Sequence, residues 1–573
     1  MKEKKSISDY VFSGLIVAGI LLILFALYYI YIPIFNFGNI RFYFFVWLVV
    51  SVLISLVTIL VSRLMIKKNG DKTYYVIKYD KFSHTLVREE VTYDEKYGKI
   101  RIIVKTLIFV GIITIAFLII MGIVGSKLFS SKAYYEQLEI TEKSEEELKE
   151  VFDFDKSNVL LPIIDKDLAF KLAQASLRDY GAQYTIDYDN FTLISVYRNG
   201  KSELVRIAPL EYSTFFVSLS RIDQGTIGYI EVNVVTKETT LVKIDEGLKY
   251  MPSAILNYDL DRHIRFEYPT EMYDEYNFEI DDEGNPYWII PTFKKEIGVI
   301  SGPTAKGVIV VNPINGEINK YSLGEEPAWI DRTVNESIVD TQATNAFTYK
   351  NGFLNVHFGE KKEVFQLSDG YNYFIKDGQT YYVSCITSPN ENDQTSIGFV
   401  TINLKTREAA KYYVSGITEM RAREIAMNHA DVRAQQLTAT WPLLINYKDV
   451  ETYFIVLKND VQSQKMVFVN VKDGELIAIA DTIEQAKAEY DKILSDSGNA
   501  AVDVVTIEGK VTRIRDLGET IEFMVDTHPE KYFVLTPTIS LDARFIQVGD
   551  SLTLICNDYN EYYYVIECKN NKE

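Results

Sequence analysis

The chain of 573 residues has little cysteine, and no catalytic signature can be read in it. Three cysteines, Cys385, Cys556 and Cys568, are too few for a disulfide-stapled secreted scaffold. A turn centred on Tyr559-Asn560 would set Cys556 opposite Tyr563 rather than Cys568, so free thiols are expected. The five histidines, His84, His263, His357, His429 and His528, are scattered, without His-Glu-x-x-His or a Cys pair at zinc spacing. Gly-x-Ser-x-Gly, a Walker loop and a dinucleotide fingerprint are absent. The acidic turn Asp281-Asp282-Glu283-Gly284-Asn285 lacks the alternating carboxylates and distal Glu of an EF-hand. These absences argue against a metal or nucleotide enzyme: no catalytic residue, cofactor, metal or small-molecule substrate is expected.

Charge of one sign is also unevenly placed. Residues 1–105 hold 15 Lys and Arg against 8 Asp and Glu, which leaves the rest of the chain, within a net charge of −19, strongly acidic. A membrane protein with a basic inner part and an acidic outer part shows this split. Three apolar, uncharged runs at 10–33, 42–62 and 106–125 are long enough to span hydrocarbon. Lys and Arg crowd the N-terminus and residues 63–105, so both are expected in the cytoplasm and 126–573 outside, in a multi-pass cell-membrane protein. Two β-favouring runs, Thr73–Ile77 and Leu86–Thr92, suggest a small hairpin in the loop. No span carries an ionisable side chain, so anchoring is a better role for them than transport.

The outer region is repetitive. An apolar residue and Asn, then Thr, Asn or Asp three residues on and Glu two after that, recurs as Asn233/Thr236/Glu238, Asn312/Asn315/Glu317, Asn403/Thr406/Glu408 and Asn470/Asp473/Glu475. Asn and Asp bond their own backbone and tolerate positive φ, so these are hairpin turns with a solvated Glu, not a catalytic set. Aromatic strand openings precede them: Thr214–Val217, Pro286–Ile289, Thr380–Val383 and Thr452–Ile455. Unequal spacing favours separate tandem domains over a strict solenoid.

The expected order is a membrane region at 1–130, an acidic linker at 131–164, and modules at 165–245, 246–330, 331–416 and 417–496. A further unit occupies 502–570. Helices are expected at 167–180, 329–339, 418–437 and, with the capping box Thr482-x-x-Gln485, 482–494. The last unit has five expected strands with an element between the third and fourth, the order of an OB-type barrel. Its 6 Lys and Arg against 12 Asp and Glu give no phosphate-attracting field, so nucleic acid is not an expected partner. The fold class is thus multi-domain α+β: three N-terminal transmembrane helices, tandem antiparallel β-meander modules and a C-terminal five-stranded OB-like barrel.

The helix 167–180 with the hairpin at Thr236, and the helix 418–437 with the hairpin at Asp473-Gly474, are similar to the PepSY module of secreted peptidase propeptides and bacterial membrane proteins. Arg262-His263-Ile264-Arg265-Phe266-Glu267-Tyr268-Pro269 followed by Pro286-Tyr287-Trp288 resembles an uncharacterised group of Gram-positive membrane-anchored proteins. Arg262, His263 and Arg265 are candidate contacts for an anion or partner, and Tyr287, Trp288, Tyr562 and Tyr563 candidate interface aromatics. The expected function is a non-enzymatic cell-envelope protein that contacts lipid through its helices and binds envelope proteins or itself. Alternatives are a regulator or inhibitor of a secreted or membrane peptidase, which the PepSY resemblance implies, and a sensor or transporter accessory subunit.

Overall fold

Four times in this chain a short asparagine-led turn closes a β-meander, and the sheets are built back from those turns. The structure, a computed structural model, describes residues 7–65, 72–80, 85–93, 95–152, 160–198, 201–376, 378–390, 394–459, 462–497, 504–518, 520–537, 539–558 and 562–571. Of these, residues 7–17, 20, 54–65, 72–80, 85–93, 95–104, 107, 463, 464, 504 and 541 are described by their backbone alone. The architecture is mixed α+β, with several separate sheets and one closed five-stranded barrel. Two compact units form. One is Met1–Tyr134 with Tyr250–Asp274 and Thr292–Lys306; the other is Tyr135–Lys249 with Glu275–Pro291 and Gly307–Glu573. The stretch expected as an independent domain at 246–330 is therefore divided between them.

In the first unit, helices Ile7–Tyr31, Ile40–Met65 and Glu95–Val124 cover the three apolar runs. Between the second and third, Lys72–Asp80 and Thr85–Tyr93 pair as the expected antiparallel hairpin. Among the described residues no single helix is long and apolar enough to cross a membrane, so the three-span expectation is not met there. The pair Ile108–Val124 and Lys127–Tyr135, bent by 50°, meets the requirement only jointly. Segment 250–274 packs on the first helix and the turn after it. Tyr29 donates to Asn257 Oδ1 at 3.2 Å, the Phe35 N–H to the Pro269 carbonyl at 2.8 Å, and Asn36 Nδ2 to the Thr270 carbonyl at 2.9 Å. At Gly125 a Cβ would lie 2.5 Å from Ser301 Oγ, so glycine permits that close approach.

The modules share one plan. The first has a helix, Lys166–Ser176, then strands Tyr184–Ile186, Thr192–Arg198, Lys201–Tyr212, Thr226–Asn233 and Thr239–Leu248. The third repeats it with helix Glu336–Thr348 and strands Gln366–Leu367, Asn372–Lys376, Gln379–Thr387, Thr395–Asn403 and Ala409–Tyr412. The fourth has helix Glu419–Asn428 and strands Thr438–Ala439, Leu443–Tyr447, Val450–Lys458, Ser463–Asn470 and Ile477–Ala480. In all three the first two strands both pair with the third, the third with the fourth and the fourth with the fifth. The second module follows the same chain order: helix Leu260–Glu267, a bridge from Met272 to Phe293, then strands Asn277–Ile280, Pro286–Ile297, Ser301–Val311 and Ile318–Ser322. Each leading helix is capped three residues ahead of a donating N–H, by Asp165, Asp259, Asn335 and Thr418.

The repeated turn is the same hydrogen-bonded object each time. Oδ1 of Asn233, Asn312, Asn403 and Asn470 accepts two backbone N–H groups, two and three residues on, at 2.8–3.3 Å. The N–H of each following Glu donates to the Thr, Asn or Asp side chain two residues before it. All four glutamates are exposed. The intervening residue has positive φ in the first three turns, at Lys237, Gly316 and Arg407.

Several expected elements differ. Thr214–Leu219 is not a strand: Thr214 caps the short helix Phe215–Ser220. The helix expected at 329–339 starts at Glu336, and the one expected to reach 437 ends at Asn428. The linker is part of a sheet, because Ile140–Lys143 runs parallel to Ala409–Tyr412. The barrel consists of Val504–Asp516, Ile521–Val525, Tyr532–Leu535, Ser551–Asp558 and Tyr562–Asn570, with helix Leu541–Arg544 between its third and fourth strands. Cys556 faces Val565, two residues from the expected Tyr563, and all three thiols are free and buried. Asn557 joins the barrel to the fourth module by donating to Asp491, which also accepts from Tyr447.

Charge is buried where the first, second and third modules meet within the second unit. Glu279, Asp331 and Arg332 are 1%, 4% and 6% exposed. The Asp331 N–H donates to Glu279 Oε2 at 3.0 Å, the Ser195 N–H to Asp331 at 3.2 Å, and Arg332 to the Leu193 carbonyl at 3.4 Å. Arg332 also lies 4.3 Å over the Tyr373 ring. Burial, then the neighbouring Asp331 carboxylate, raises Glu279, and burial raises Asp331. Burial likewise pushes Glu336 up to about 7.

Two outcomes are expected. Replacing Asn403, 1% exposed and also donating to Gln379, by Ala leaves two turn N–H groups without their acceptor. In urea denaturation Asn403→Ala is expected to lose about 2 kcal/mol, more than Asn233→Ala. Carboxyls raised on folding give a folded state that binds more protons than the unfolded chain, so stability falls as pH rises from the ordinary carboxylate range through the raised values. Glu279→Gln keeps an acceptor for the Asp331 N–H and cannot ionise. Its denaturation midpoint is expected to exceed that of the parent at pH 8, with the two converging near pH 5; a parent midpoint that rises across this window would contradict the assignment.

Candidate functional site

The basic cluster singled out from the sequence lies in and beside the helix Leu260–Glu267, and its side chains are engaged within the first unit. Arg262 donates to the Leu256 carbonyl and lies 4.3 Å over the Tyr29 ring. Arg265, 4% exposed, donates to the Glu271 carbonyl, sits 3.7 Å over Tyr273 and reaches Asp261 at 3.5 Å. The His263 ring is 4.4 Å from that of Tyr250. These contacts fix segment 250–274 and bury Arg265, while Arg262 and His263 keep part of their surface open.

The aromatic candidates separate in the same way. Trp288 is fully buried, 5.2 Å from Phe278 and 6.4 Å from Tyr276, so it is core and not interface. Alternation along Pro286–Ile297 puts Tyr287 on the other face, half-buried against Trp329 at 4.9 Å. Tyr563 is 7% exposed and stacks on Phe533 in the barrel core. Tyr562 stacks on Tyr532 at 5.5 Å as a cross-strand pair and keeps part of its surface open.

A cavity of about 390 Å³ opens elsewhere in the second unit, between the former linker, the third module's helix and its last strand. Its walls include the rings of Tyr135, Phe347 and Phe365, the carboxylates of Glu139 and Glu142, and Lys411. Strand alternation sends Lys411 to this face, opposite Glu142 in the parallel ladder. Lys411 is 8% exposed, and its ammonium lies 4.1 Å from the Tyr413 ring, 5.5 Å from Phe365 and 5.9 Å from Phe347. The nearby carboxylates have other partners: Glu142 accepts from the Tyr413 hydroxyl at 2.6 Å, and Glu363 pairs with Lys350 at 2.6 Å. Burial lowers Lys411. The hydrogen bond to Glu142, then burial, raises Tyr413 to about 12.

Sequence reasoning missed Lys411. Ala409-Ala410-Lys411-Tyr412-Tyr413 reads as an ordinary edge strand, and its cage is completed by Phe347 and Phe365 from far upstream. Among the described residues no group of His, Cys, Asp and Glu is placed to hold a metal ion. No protein-family model matches the chain, and no curated protein is significantly similar to it. Among solved structures, that of the tetrameric p202 HIN2 covers 24% of this chain and 91% of its own, at 12% identity and a TM-score of 0.11. A likeness of that size carries no argument about function.

Proposed function

We propose that the chain is a non-enzymatic, membrane-anchored cell-envelope protein whose acidic outer modules bind or assemble with other proteins. The observation that carries this reading is the fourfold recurrence of one module plan with one turn, followed by a barrel. Tandem modules of this kind provide repeated surface, and their buried polar groups serve the joints between them. The apolar runs at 10–33, 42–62 and 106–125 supply the anchor, and the positive-inside bias orients it, with 63–105 inside and 126–573 outside. A leading helix before each meander favours a second reading, in which PepSY-like modules restrain a secreted or membrane peptidase.

Native thiols cannot report the topology because all three are buried. Lys237→Cys sits on an exposed turn and Ser83→Cys in the basic loop. With an impermeant maleimide on intact cells, Lys237→Cys is expected to label and Ser83→Cys to label only after permeabilisation; the reverse pattern would refute the anchor's orientation. Crosslinking from Lys237 on the same cells separates the two readings: other copies or wall-assembly proteins support the scaffold, and a single peptidase supports the regulator.

A further inference from the structure

Lys411 differs from the other buried and half-buried cations of the second unit. Arg332 has the Leu193 carbonyl, Lys448 has Asp491 at 3.0 Å and Lys458 has Asp165, whereas the contacts of the Lys411 ammonium are three ring faces. An ammonium carries three donors, and ring faces replace only part of what hydrogen-bond acceptors give it. An oxygen acceptor for it has to come from the cavity of about 390 Å³ that it faces.

The walls decide what kind of ligand supplies that oxygen. Four carboxylates, Glu136, Glu139, Glu142 and Glu363, stand against two ammonium groups, Lys350 and Lys411, so a carboxylate or phosphate enters an unfavourable field. An organic cation placed against these rings meets like-charge repulsion from the Lys411 ammonium, which lies 4.1–5.9 Å from their centroids. A neutral molecule meets neither penalty if it offers acceptor oxygens to the ammonium, hydroxyl donors to carboxylates with lone pairs to spare, and a C–H face to the rings. A sugar ring has all three. The cavity volume lies within the usual range for small-molecule sites.

We propose that this cavity is a carbohydrate-binding site. Lys411 donates to a sugar oxygen, Glu139 and Glu142 accept from hydroxyls, and Phe347 and Phe365 cover the apolar face of the ring. The proposal goes beyond the envelope-protein reading and does not depend on it, since the site is built within one unit whichever compartment holds it.

The test is calorimetric titration of the full-length chain, held in a detergent without a sugar head group. The probes are glucose, N-acetylglucosamine and the N-acetylglucosamine tetramer, with acetate and choline as anionic and cationic controls. At least one sugar is expected to saturate, with affinity lowered about tenfold or more in Lys411→Met and Phe365→Ala. Glu139 is exposed, so Glu139→Gln reports on the site without disturbing the core, and a loss of about threefold to tenfold is expected there. Should Lys411→Met lower the thermal midpoint, protection of Lys411 from acylation by bound sugar in the parent protein replaces that variant. Saturation by acetate or choline instead, no saturation by any of the three sugars, or equal affinity in parent and Glu139→Gln overturns the proposal.

Discussion

One side-chain oxygen holds each module's last hairpin together. The asparagine Oδ1 of the repeated turn accepts two consecutive backbone N–H groups, so the chain reverses in a fixed geometry before any long-range contact is needed. A reversal fixed in this way sets the register of the fourth and fifth strands. In the third module that register runs from Phe399 opposite Tyr412 to Ile402 opposite Ala409. It therefore also decides which face of the sheet Lys411 takes. The cavity is thus downstream of the turn: a slip of one residue at Asn403 would send Lys411 to the opposite side of the sheet and leave Phe347 and Phe365 without their cation.

What could be read in the sequence was local. The four asparagine turns, the caps Thr418 and Thr482, and the barrel's strand order all depend on residues within a few positions of one another, and they fold as their spacing implies. The aromatic run at Thr214 shows where such reasoning fails. Thr380 and Thr452 open strands with nearly the same residue types, but Phe215 and Phe216 are 60% and 78% exposed on a short helix that links two strands. Aromatic content marks a strand only when a facing layer is present to bury it. The leading helix of the second module was hidden because Leu260–Glu267 is only eight residues long, and that of the third was misplaced because a polar Glu336–Thr348, with buried Gln342 and Asn345, carries little apolar periodicity.

The candidate sites were less legible than the fold, because both charged clusters of the second unit are assembled from distant segments. Glu279 acquires its environment from Asp331 and Ser195, and Lys411 from Phe347, Phe365 and the strand Ile140–Lys143. Neither pairing leaves a spacing in the chain. Conversely, Arg262, His263 and Arg265 were conspicuous because they are adjacent, and adjacency on a short helix serves to hold that helix to its neighbours, through Tyr29, Tyr250 and Tyr273.

Comparing the two buried clusters separates structure from ligand chemistry. At the joint between modules every cation and carboxylate has a protein partner, and the cost of burial is carried by shifted protonation: Glu279 and Asp331 rise, and burial together with Arg332 lowers Arg206 to about 10. Such a cluster holds segments together, although Glu279 Oε1 and the Nε atoms of Arg332 and Arg206 are left without a hydrogen-bond partner. At Lys411 the shift has the same cause, but the ammonium borders an open cavity instead of a carboxylate. A buried charge whose partners are all supplied by the chain holds segments together. A buried charge whose remaining partner must come from solvent or ligand is where binding energy is available, and Lys411, on the face of the third module's last strand, borders a cavity in that way.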